Sequence, residues 1–401
     1  MSGRTSAGRN GLTGGTGLFR LKPLHLTFAL GFLGFVSLSA ARVVLSLYAL
    51  ELGAQPFAVG VLVAMFYVFP LLLSWPLGAL SDRIGSRWPL VFGAGSGAVG
   101  LVIPYFWGVL PALFVAAALS GLSLAITHVN LQNLVGLISL PADRTRNFSN
   151  FSMVGAATNF AGPLIAGLAI DNAGFAIACL YVMALSVLGV IFAAGWGQIL
   201  PISPRSSAPP VRILDTLTDR DIVRTLATSS LAQLGTDLYQ FYLPIYGHAA
   251  GLSATVIGVV LASFALASFT VRVVMARLVQ KFGDERLLAY SFYLGAVAFL
   301  LVPFFNGVIT LTLISFMFGL GMGCAQPITM ILMFRHSPKG RSGATLGMRL
   351  TANNLMRVLG PAVFGSVGSA LGLFAVFWIN GLVMGAGGFL ARPTNAARRV
   401  P

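Results

Sequence analysis

Long apolar stretches alternate with short groups of Gly, Pro and charged residues along almost the whole chain. A helix of roughly 20 apolar residues is long enough to cross the hydrocarbon core of a bilayer. Read as breaks between apolar segments, the Gly, Pro and charged groups predict twelve membrane-spanning helices. Their expected bounds are 24–50, 56–80, 88–107, 111–140, 147–171, 174–196, 222–247, 254–280, 286–305, 308–335, 342–369 and 372–391.

The composition supports this interpretation. Of the 401 residues, 57% are hydrophobic and 9% are charged, whereas roughly a quarter of the residues of a soluble domain are charged. Soluble globular and disordered classes are therefore excluded. Cys179 and Cys324 lie far apart in apolar runs, so they define neither a disulfide framework nor a metal-binding spacing. We expect an all-α membrane protein in the cytoplasmic (inner) membrane.

The net charge of +15 raises the question of a nucleic-acid partner. The tails and the loops after even-numbered spans are basic, and the loops after odd-numbered spans contain neither Lys nor Arg. This asymmetry follows the positive-inside rule, so we expect both termini in the cytoplasm. Membrane topology thus accounts for the charge, and nucleic acid is not expected as a partner.

The sequence repeats itself. At an offset of 198 residues the two halves align without a gap, so that Tyr48 falls on Tyr246 and Gly85 on Gly283. Six spans return the chain to its starting side, which makes the halves parallel repeats about an axis along the membrane normal. Two such bundles form the architecture of an alternating-access carrier.

The repeat also sets the expected domain boundaries. A polar, Pro-rich segment separates the two bundles, and a basic segment precedes the first. The expected parts are a cytoplasmic tail 1–23, a six-helix bundle 24–196, a cytoplasmic linker 197–221, a six-helix bundle 222–391 and a cytoplasmic tail 392–401.

The loop between the second and third spans carries a specific motif. Residues 78–87 read G-A-L-S-D-R-I-G-S-R, which resembles the G-x-L-x-D-R-x-G-x-R/K signature of the major facilitator superfamily. The resemblance extends over the whole chain through the twelve spans. It implies the fold of that family, with two pseudo-symmetric six-helix bundles that form a secondary transporter.

The resemblance also implies roles for the residues of this loop. Asp82 would dock on the positive N-terminal end of helix 11, near Ser342, and hold the outward-open state. Arg83 would pair with Asp143 at the end of helix 4. Together with the turn residue, they form a candidate conformational gate, whose members are Gly78, Asp82, Arg83, Gly85, Arg87 and Asp143.

Helix 5 contains a second, looser resemblance. Residues 155–167 read G-A-A-T-N-F-A-G-P-L-I-A-G, which is similar to the Gly-Pro motif of proton-coupled antiporters in this superfamily. Thr158 and Ala166 depart from it, and Ala117 replaces the basic residue of the antiporter pattern in helix 4. The alternative is that Gly and Pro serve only to bend and pack the helices.

Ionisable groups inside spans are costly, so each is a functional candidate. Asp237 lies near the expected midplane of helix 7, and Arg42 lies at comparable depth in helix 1. Helix 11 presents Arg349, Asn353 and Arg357 on one face. Arg272 and Arg349 lie nearer the cytoplasm, where a structural role is the simpler interpretation. For Arg42 and Arg357 a structural role stays open as an alternative to substrate binding.

These charges lead to a hypothesis about the substrate. A guanidinium binds a carboxylate or phosphate through two parallel hydrogen bonds and stays charged. We therefore expect a small organic anion held by Arg42 and Arg357, with Asn353 and Gln240 beside them. Asp237 would carry the coupled proton or serve as the counter-ion that releases an arginine.

Helix 4 is unusually polar for a span. His128 and Asn130 lie there, and the offset of 198 places Gln326 of helix 10 opposite His128. These residues are further substrate-binding candidates, although a His in such a run can also be a packing residue.

Other classes of function find little support in the sequence. The four His residues are scattered, and no nucleophile spacing or phosphate-binding loop is present, so neither an enzyme nor an ATP-driven pump is expected. No cofactor is expected, and we expect a monomer. Two alternatives to an anion carrier stay open: a proton-driven exporter of hydrophobic drugs and a membrane sensor that does not transport.

Overall fold

The computed structural model describes residues 22–54, 56–201, 217–252 and 254–393. The linker residues 202–216 and most of both predicted tails lie outside the described residues. Every regular element in the described residues is helical. The helices are α1 (Pro23–Glu51), α2 (Pro56–Ile84), α3 (Arg87–Phe106), α4 (Leu110–Ile138), α5 and α6 (together Arg144–Trp196), α7 (Arg220–Ala249), α8 (Ala254–Phe282), α9 (Asp284–Leu301), α10 (Val308–His336), and α11 and α12 (together Ser342–Ala391).

Two pairs of helices are joined by a single residue rather than by a loop. Gly174 separates α5 (144–173) from α6 (175–196), and Gly372 separates α11 (342–371) from α12 (373–391). Both glycines have positive φ, 75° and 82°, a conformation that costs a residue with a Cβ atom. Each glycine ends one helix and precedes the next, so the described residues contain twelve α-helices, which is the predicted number.

Most of the helices could span a membrane by length and composition. Within the described residues, nine stretches meet that description, one of which contains both α5 and α6. Helix α7 and residues 342–369 of α11 are not among them. Helix α7 carries Asp237, and α11 carries Arg349, Asn353 and Arg357. These polar side chains lower the hydropathy of the two helices.

The backbone repeats with the offset found in the sequence. Gly53 and Gly251 have φ of 77° and 79°, and Gly85 and Gly283 have φ of 79° and 80°. Helix crossings repeat as well. A side chain at Gly121 would overlap the carbonyl oxygen of Phe66, and one at Gly319 would overlap that of Phe264, which lies 198 residues after Phe66. The two halves, α1–α6 and α7–α12, are therefore copies of one bundle.

Hydrogen bonds join the two halves near the α2–α3, α4–α5, α8–α9 and α10–α11 connections, which we call the closed end. The carboxylate of Asp82 accepts from the backbone amides of Gly343 and Ala344, both at 2.9 Å. On the other side of the bundle, Arg272 Nη1 of α8 donates to the carbonyl of Ser152 at 3.2 Å. The hydroxyl of Ser149 donates to the carbonyl of Arg272 at 2.6 Å.

These contacts follow the pseudo-symmetry. Ser149 on α5 lies against Arg272 on α8, and the residues 198 positions away, Gly347 on α11 and Ser74 on α2, also touch. Gly136 packs on the ring of Phe334, its own counterpart, so this contact lies on the pseudo-two-fold axis.

The crossing of α2 and α11 leaves no room for a side chain. A Cβ atom at Gly347 would overlap the carbonyl oxygen of Ser74, which belongs to rigid backbone. We therefore expect Gly347→Ala to separate the two helices at the closed end, because overpacking of this kind costs about 1–3 kcal/mol. Distances between nitroxide labels on cysteines introduced at the exposed positions Arg146 and Lys339 should become longer.

Gly95→Ala is the control, because nothing lies within 4 Å of a Cβ at that helical position. The native cysteines Cys179 and Cys324 are buried, which favours labelling at the introduced sites. Identical distance distributions in parent and Gly347→Ala proteins would contradict the interpretation of this crossing.

Candidate functional site

Two arginines from opposite halves reach one aromatic ring. The guanidinium carbon of Arg42 on α1 lies 5.7 Å from the centroid of Tyr67 on α2, and that of Arg357 on α11 lies 5.4 Å from the same centroid. The two guanidiniums are therefore no further apart than the sum of these distances. Cations at such distances are attracted to the ring face. The structure thus brings together the two arginines that the sequence proposed as a pair.

Asp237 on α7 meets Arg357. Its Oδ2 lies 3.3 Å from the Nε of Arg357, and its Oδ1 accepts from the amide of Gln233 at 2.8 Å. Gln233 and Asp237 are four residues apart, so one face of α7 supplies both groups. The carboxylate is held by one cation and one neutral donor, which is fewer than it can accept.

A chain of amides continues from Gln233 towards the closed end. Gln326 on α10 donates through Nε2 to the Oε1 of Gln233 at 3.0 Å. The Oε1 of Gln326 accepts from the Nη1 of Arg349 at 3.0 Å. Both side-chain amides therefore have the same orientation: each NH2 group points towards the carboxylate of Asp237, and each oxygen points towards the guanidinium of Arg349.

Arg349 is buried and has neutral partners. Only 1% of its surface is exposed. Besides Gln326, its Nη1 donates to the hydroxyl of Ser229 at 2.9 Å and to that of Thr329 at 3.3 Å. Its Nη2 donates to Gln132 Oε1 on α4 at 3.0 Å. The last bond crosses from one half to the other.

Exposure increases along α11 away from the closed end. Arg349 is buried, whereas the side chains of Asp237 and Arg357 are 27% and 36% exposed. Solvent therefore reaches the Asp237–Arg357 pair but not Arg349. Arg42 is partly exposed, yet its Nε is buried and has no hydrogen-bond partner in the described part of the chain.

The other predicted binding residues lie in different parts of the structure and differ in burial. Asn353 is buried and accepts from the hydroxyl of Ser229 at 3.0 Å, which ties it to the group around Arg349. Gln240 is exposed, one helical turn beyond Asp237. His128 lies edge-on to Phe35, with 5.2 Å between ring centroids.

Asn130 lies elsewhere. Its amide accepts from the hydroxyl of Ser81 at 2.7 Å and donates to the carbonyl of Ile126 at 2.8 Å. Both functional atoms thus serve contacts inside the N-terminal half, where the side chain is completely buried. It supports the end of α2 rather than lining the space between Arg42 and Arg357.

The signature loop makes the contact that the resemblance implied. Asp82 is buried and binds the first amides of α11, where the helix dipole favours a negative charge. Asn133 of α4 donates to the same carboxylate at 3.2 Å and accepts from Ser342 at 2.5 Å.

The rest of the loop fixes its shape. Gly78 packs against the backbone of Gly343, and Gly85 makes the turn with a φ of 79°. Arg87 donates to the carbonyl of Ala194 at 2.7 Å and so fixes the end of α6.

The predicted ion pair between Arg83 and Asp143 is wrong for this conformation. Asp143 instead binds Arg146 at 3.0 Å. Asp143 immediately precedes α5, so an arginine three residues later lies within reach on the same helical face. Arg83 points outward and is exposed.

Several residues of this site were not among the predicted binding residues. The sequence favours a structural role for Arg349, and it does not assign Gln233 or Tyr67 to the binding site. A signal for Arg349 was present, because it shares a helical face with Asn353 and Arg357. No sequence signal placed Tyr67 between two arginines. The described residues hold no group of three or more His, Cys, Asp or Glu side chains that could bind a metal.

Comparisons with known proteins agree with this architecture. The model of the Major Facilitator Superfamily matches residues 27–246 and 225–400. A relative named multidrug resistance protein MdtG, from Dickeya zeae (strain Ech586), is 23% identical over 359 residues, which cover 85% of this chain and 86% of the relative.

Two solved structures share the fold. The human organic anion transporter MFSD10 (TETRAN) superposes with a TM-score of 0.74 at 17% identity, covering 93% of this chain and all of the other. A bacterial homologue of the iron transporter ferroportin in the outward-facing state gives a TM-score of 0.76 at 18% identity, with coverages of 92% and 98%. Since the family model spans both six-helix halves, the chain belongs to the Major Facilitator Superfamily and is a membrane transporter, not an enzyme.

Proposed function

We propose that this transporter is a secondary carrier of a small organic anion, coupled to protons and working by alternating access. The observation that carries the proposal is the position of Arg42 and Arg357. They approach one ring from opposite halves of the protein, as a site that is bound in turn from each side of the membrane requires. The predicted six-helix domains and cytoplasmic termini belong to this proposal.

The charges of the site favour an anion. Arg42, Arg349 and Arg357 contribute three positive charges, and Asp237 contributes one negative charge. A charge within a span costs several kcal/mol unless it is compensated. An anionic ligand supplies this compensation. The Nε atoms of Arg42 and Arg349 are both buried without a hydrogen-bond partner among the described residues. An unmade hydrogen bond of a buried donor costs roughly 1–3 kcal/mol.

Asp237 provides a route to proton coupling. An anion that binds Arg357 competes with Asp237 for the same guanidinium, because the two lie 3.3 Å apart. A carboxylate that loses its cationic partner becomes easier to protonate. Substrate binding and protonation of Asp237 are therefore linked, and each favours the other.

The closed end provides the gate. Asp82 binds the N-terminus of a helix in the other half, and Arg272 and Arg349 add hydrogen bonds across the same boundary. Opening this end breaks all of these contacts. Because it combines the helix dipole with two charge-assisted hydrogen bonds, we expect the Asp82 contact to contribute most to holding this end closed.

A second candidate is a proton-driven exporter of hydrophobic drugs. The name of the Dickeya zeae relative, which is matched over 86% of its length, favours it. A thermal-shift screen of purified protein against carboxylates, phosphates and lipophilic cations separates the two proposals, since bound ligands raise the unfolding temperature. If no class of ligand produced flux in proteoliposomes despite binding, a sensor would be indicated instead.

Arg42→Gln and Arg357→Gln should each weaken binding of the carboxylate ligand that raises the unfolding temperature in this screen. Loss of a charged hydrogen bond costs about 1.5–3 kcal/mol, which is roughly a 10-fold to 100-fold weaker affinity. Affinity is measured from the ligand dependence of the unfolding temperature, and flux of the labelled anion is measured in proteoliposomes. Arg277→Gln, an exposed residue near the end of α8, removes the same charge far from the site and should bind normally. Parent affinity in both site variants would rule out the anion site.

Asp237→Asn should retain exchange of the anion across the membrane and lose its proton-driven accumulation. An amide cannot gain or lose a proton, but it leaves Arg42 and Arg357 in place for the substrate. Counterflow and accumulation under an imposed pH gradient are measured on the same proteoliposomes. Asp171→Asn, an exposed position at the end of α5, is the control. Full accumulation in Asp237→Asn would show that another group carries the proton.

Asp82→Asn should open the closed end. An anion at a helix N-terminus contributes up to about 2 kcal/mol, which corresponds to roughly a 30-fold shift of a two-state equilibrium. The label distance between positions 146 and 339 reports the change. Arg83→Gln alters the charge of the neighbouring, exposed residue and should leave the distances unchanged. If both variants, or neither, altered the distances, Asp82 would have no special role in the gate.

A further inference from the structure

The two halves of the site have diverged in chemistry although they share one geometry. The offset of 198 places Phe35 opposite Gln233, His128 opposite Gln326, and Phe151 opposite Arg349. In the C-terminal half these positions form a hydrogen-bonded group in which Gln326 lies 3.0 Å from both Gln233 and Arg349.

In the N-terminal half the equivalent positions form an aromatic group. The centroid of Phe35 lies 5.2 Å from that of His128 and 5.8 Å from that of Phe151, both edge-on. The Phe35–His128 contact is equivalent to the Gln233–Gln326 contact, so at this pair of positions the contact has been kept while the hydrogen bond has been replaced by an aromatic contact. Tyr67 adds another aromatic ring to the N-terminal half, where its counterpart in the C-terminal half is Ala265.

The aromatic side chains face the opposite half. His128 lies one helical turn before Gln132, which binds Arg349 across the boundary. Phe35 lies two turns before Arg42 on α1, so both are on one face of that helix. Phe35, Tyr67 and His128 are partly exposed even though they lie between packed helices. Tyr67 contacts Arg42 and Phe35 contacts His128, so these partly exposed side chains are candidates to contact a ligand that is held by Arg42.

From this asymmetry we infer that the transported anion has a flat aromatic body. This inference rests on the proposed function. The anionic group binds Arg42 and Arg357, the ring packs on Phe35 and Tyr67, and the C-terminal half faces the polar edge of the ligand. Aromatic faces favour flat partners through offset-stacked and edge-on contacts, and the neighbouring guanidiniums add attraction for a second ring face.

Benzoate and cyclohexanecarboxylate test this inference because they carry the same charge on rings of similar size. The cyclohexyl ring is at least as apolar, so a preference for benzoate reports ring faces rather than general hydrophobicity. The dissociation constant of each is measured on the purified full chain. We expect benzoate to bind roughly tenfold more tightly.

Phe35→Leu and Tyr67→Leu should each reduce this preference while both anions still require Arg357. Phe160→Leu, on the outer surface of α5 where the residue is 76% exposed, should preserve it. Two variants are used so that failure of one to fold leaves the test intact.

Equal affinities of the two anions in the parent protein, or an unchanged preference in both aromatic variants, would overturn the aromatic inference. In that case Arg357-dependent binding would still support the anion proposal. Binding of both anions that did not depend on either arginine would overturn the proposed function itself.

Discussion

A guanidinium inside a membrane protein cannot be left without partners, and the three central arginines meet this constraint to different degrees. Arg349 is fully buried, and its terminal nitrogens donate to oxygens from α4, α7 and α10, while its Nε has no hydrogen-bond partner among the described residues. Arg357 is shared with one carboxylate. Arg42 lies against the ring of Tyr67, and its buried Nε has no hydrogen-bond partner among the described residues. A buried charge costs several kcal/mol when its partners are removed. In the proposed function, an anion therefore gains most at Arg42, which has the fewest hydrogen-bond partners of the three.

Duplication explains why the closed end is held in two different ways. The crossings of α2 with α11 and of α5 with α8 are equivalent, yet Asp82 in the first is replaced by Gln280 in the second. The second crossing instead uses the guanidinium of Arg272 on backbone carbonyls. A charged helix-terminus contact on one side and a carbonyl-bound cation on the other allow the two crossings to differ in strength. The pseudo-symmetric fold thus does not require the two sides to open with equal ease.

Much of the architecture could be predicted from the sequence because it depends on local and periodic signals. Apolar length predicted the helices, the offset of 198 predicted the equivalence of the halves, and the signature predicted where Asp82 binds. Partner choice could not be predicted in the same way. Asn130 turns to Ser81, and Asp143 turns to Arg146, because the rotation of each helix about its axis decides which neighbour is in reach. Such rotations are fixed by packing across the whole bundle.

The hydrogen-bonded chain from Asp237 to Arg349 shows how the site and the gate can be parts of one unit. Gln233 and Gln326 each have one donor end and one acceptor end, and the carboxylate and the guanidinium at the two termini set their common direction. Neutralising Asp237 removes the charge that orients the amide of Gln233. The preference of both amides for a single orientation then becomes weaker. The far end is Arg349, whose bond to Gln132 crosses between the halves. In the proposed function, a change of charge at Asp237 is therefore transmitted to the Arg349–Gln132 contact between the halves, which breaks when the closed end opens.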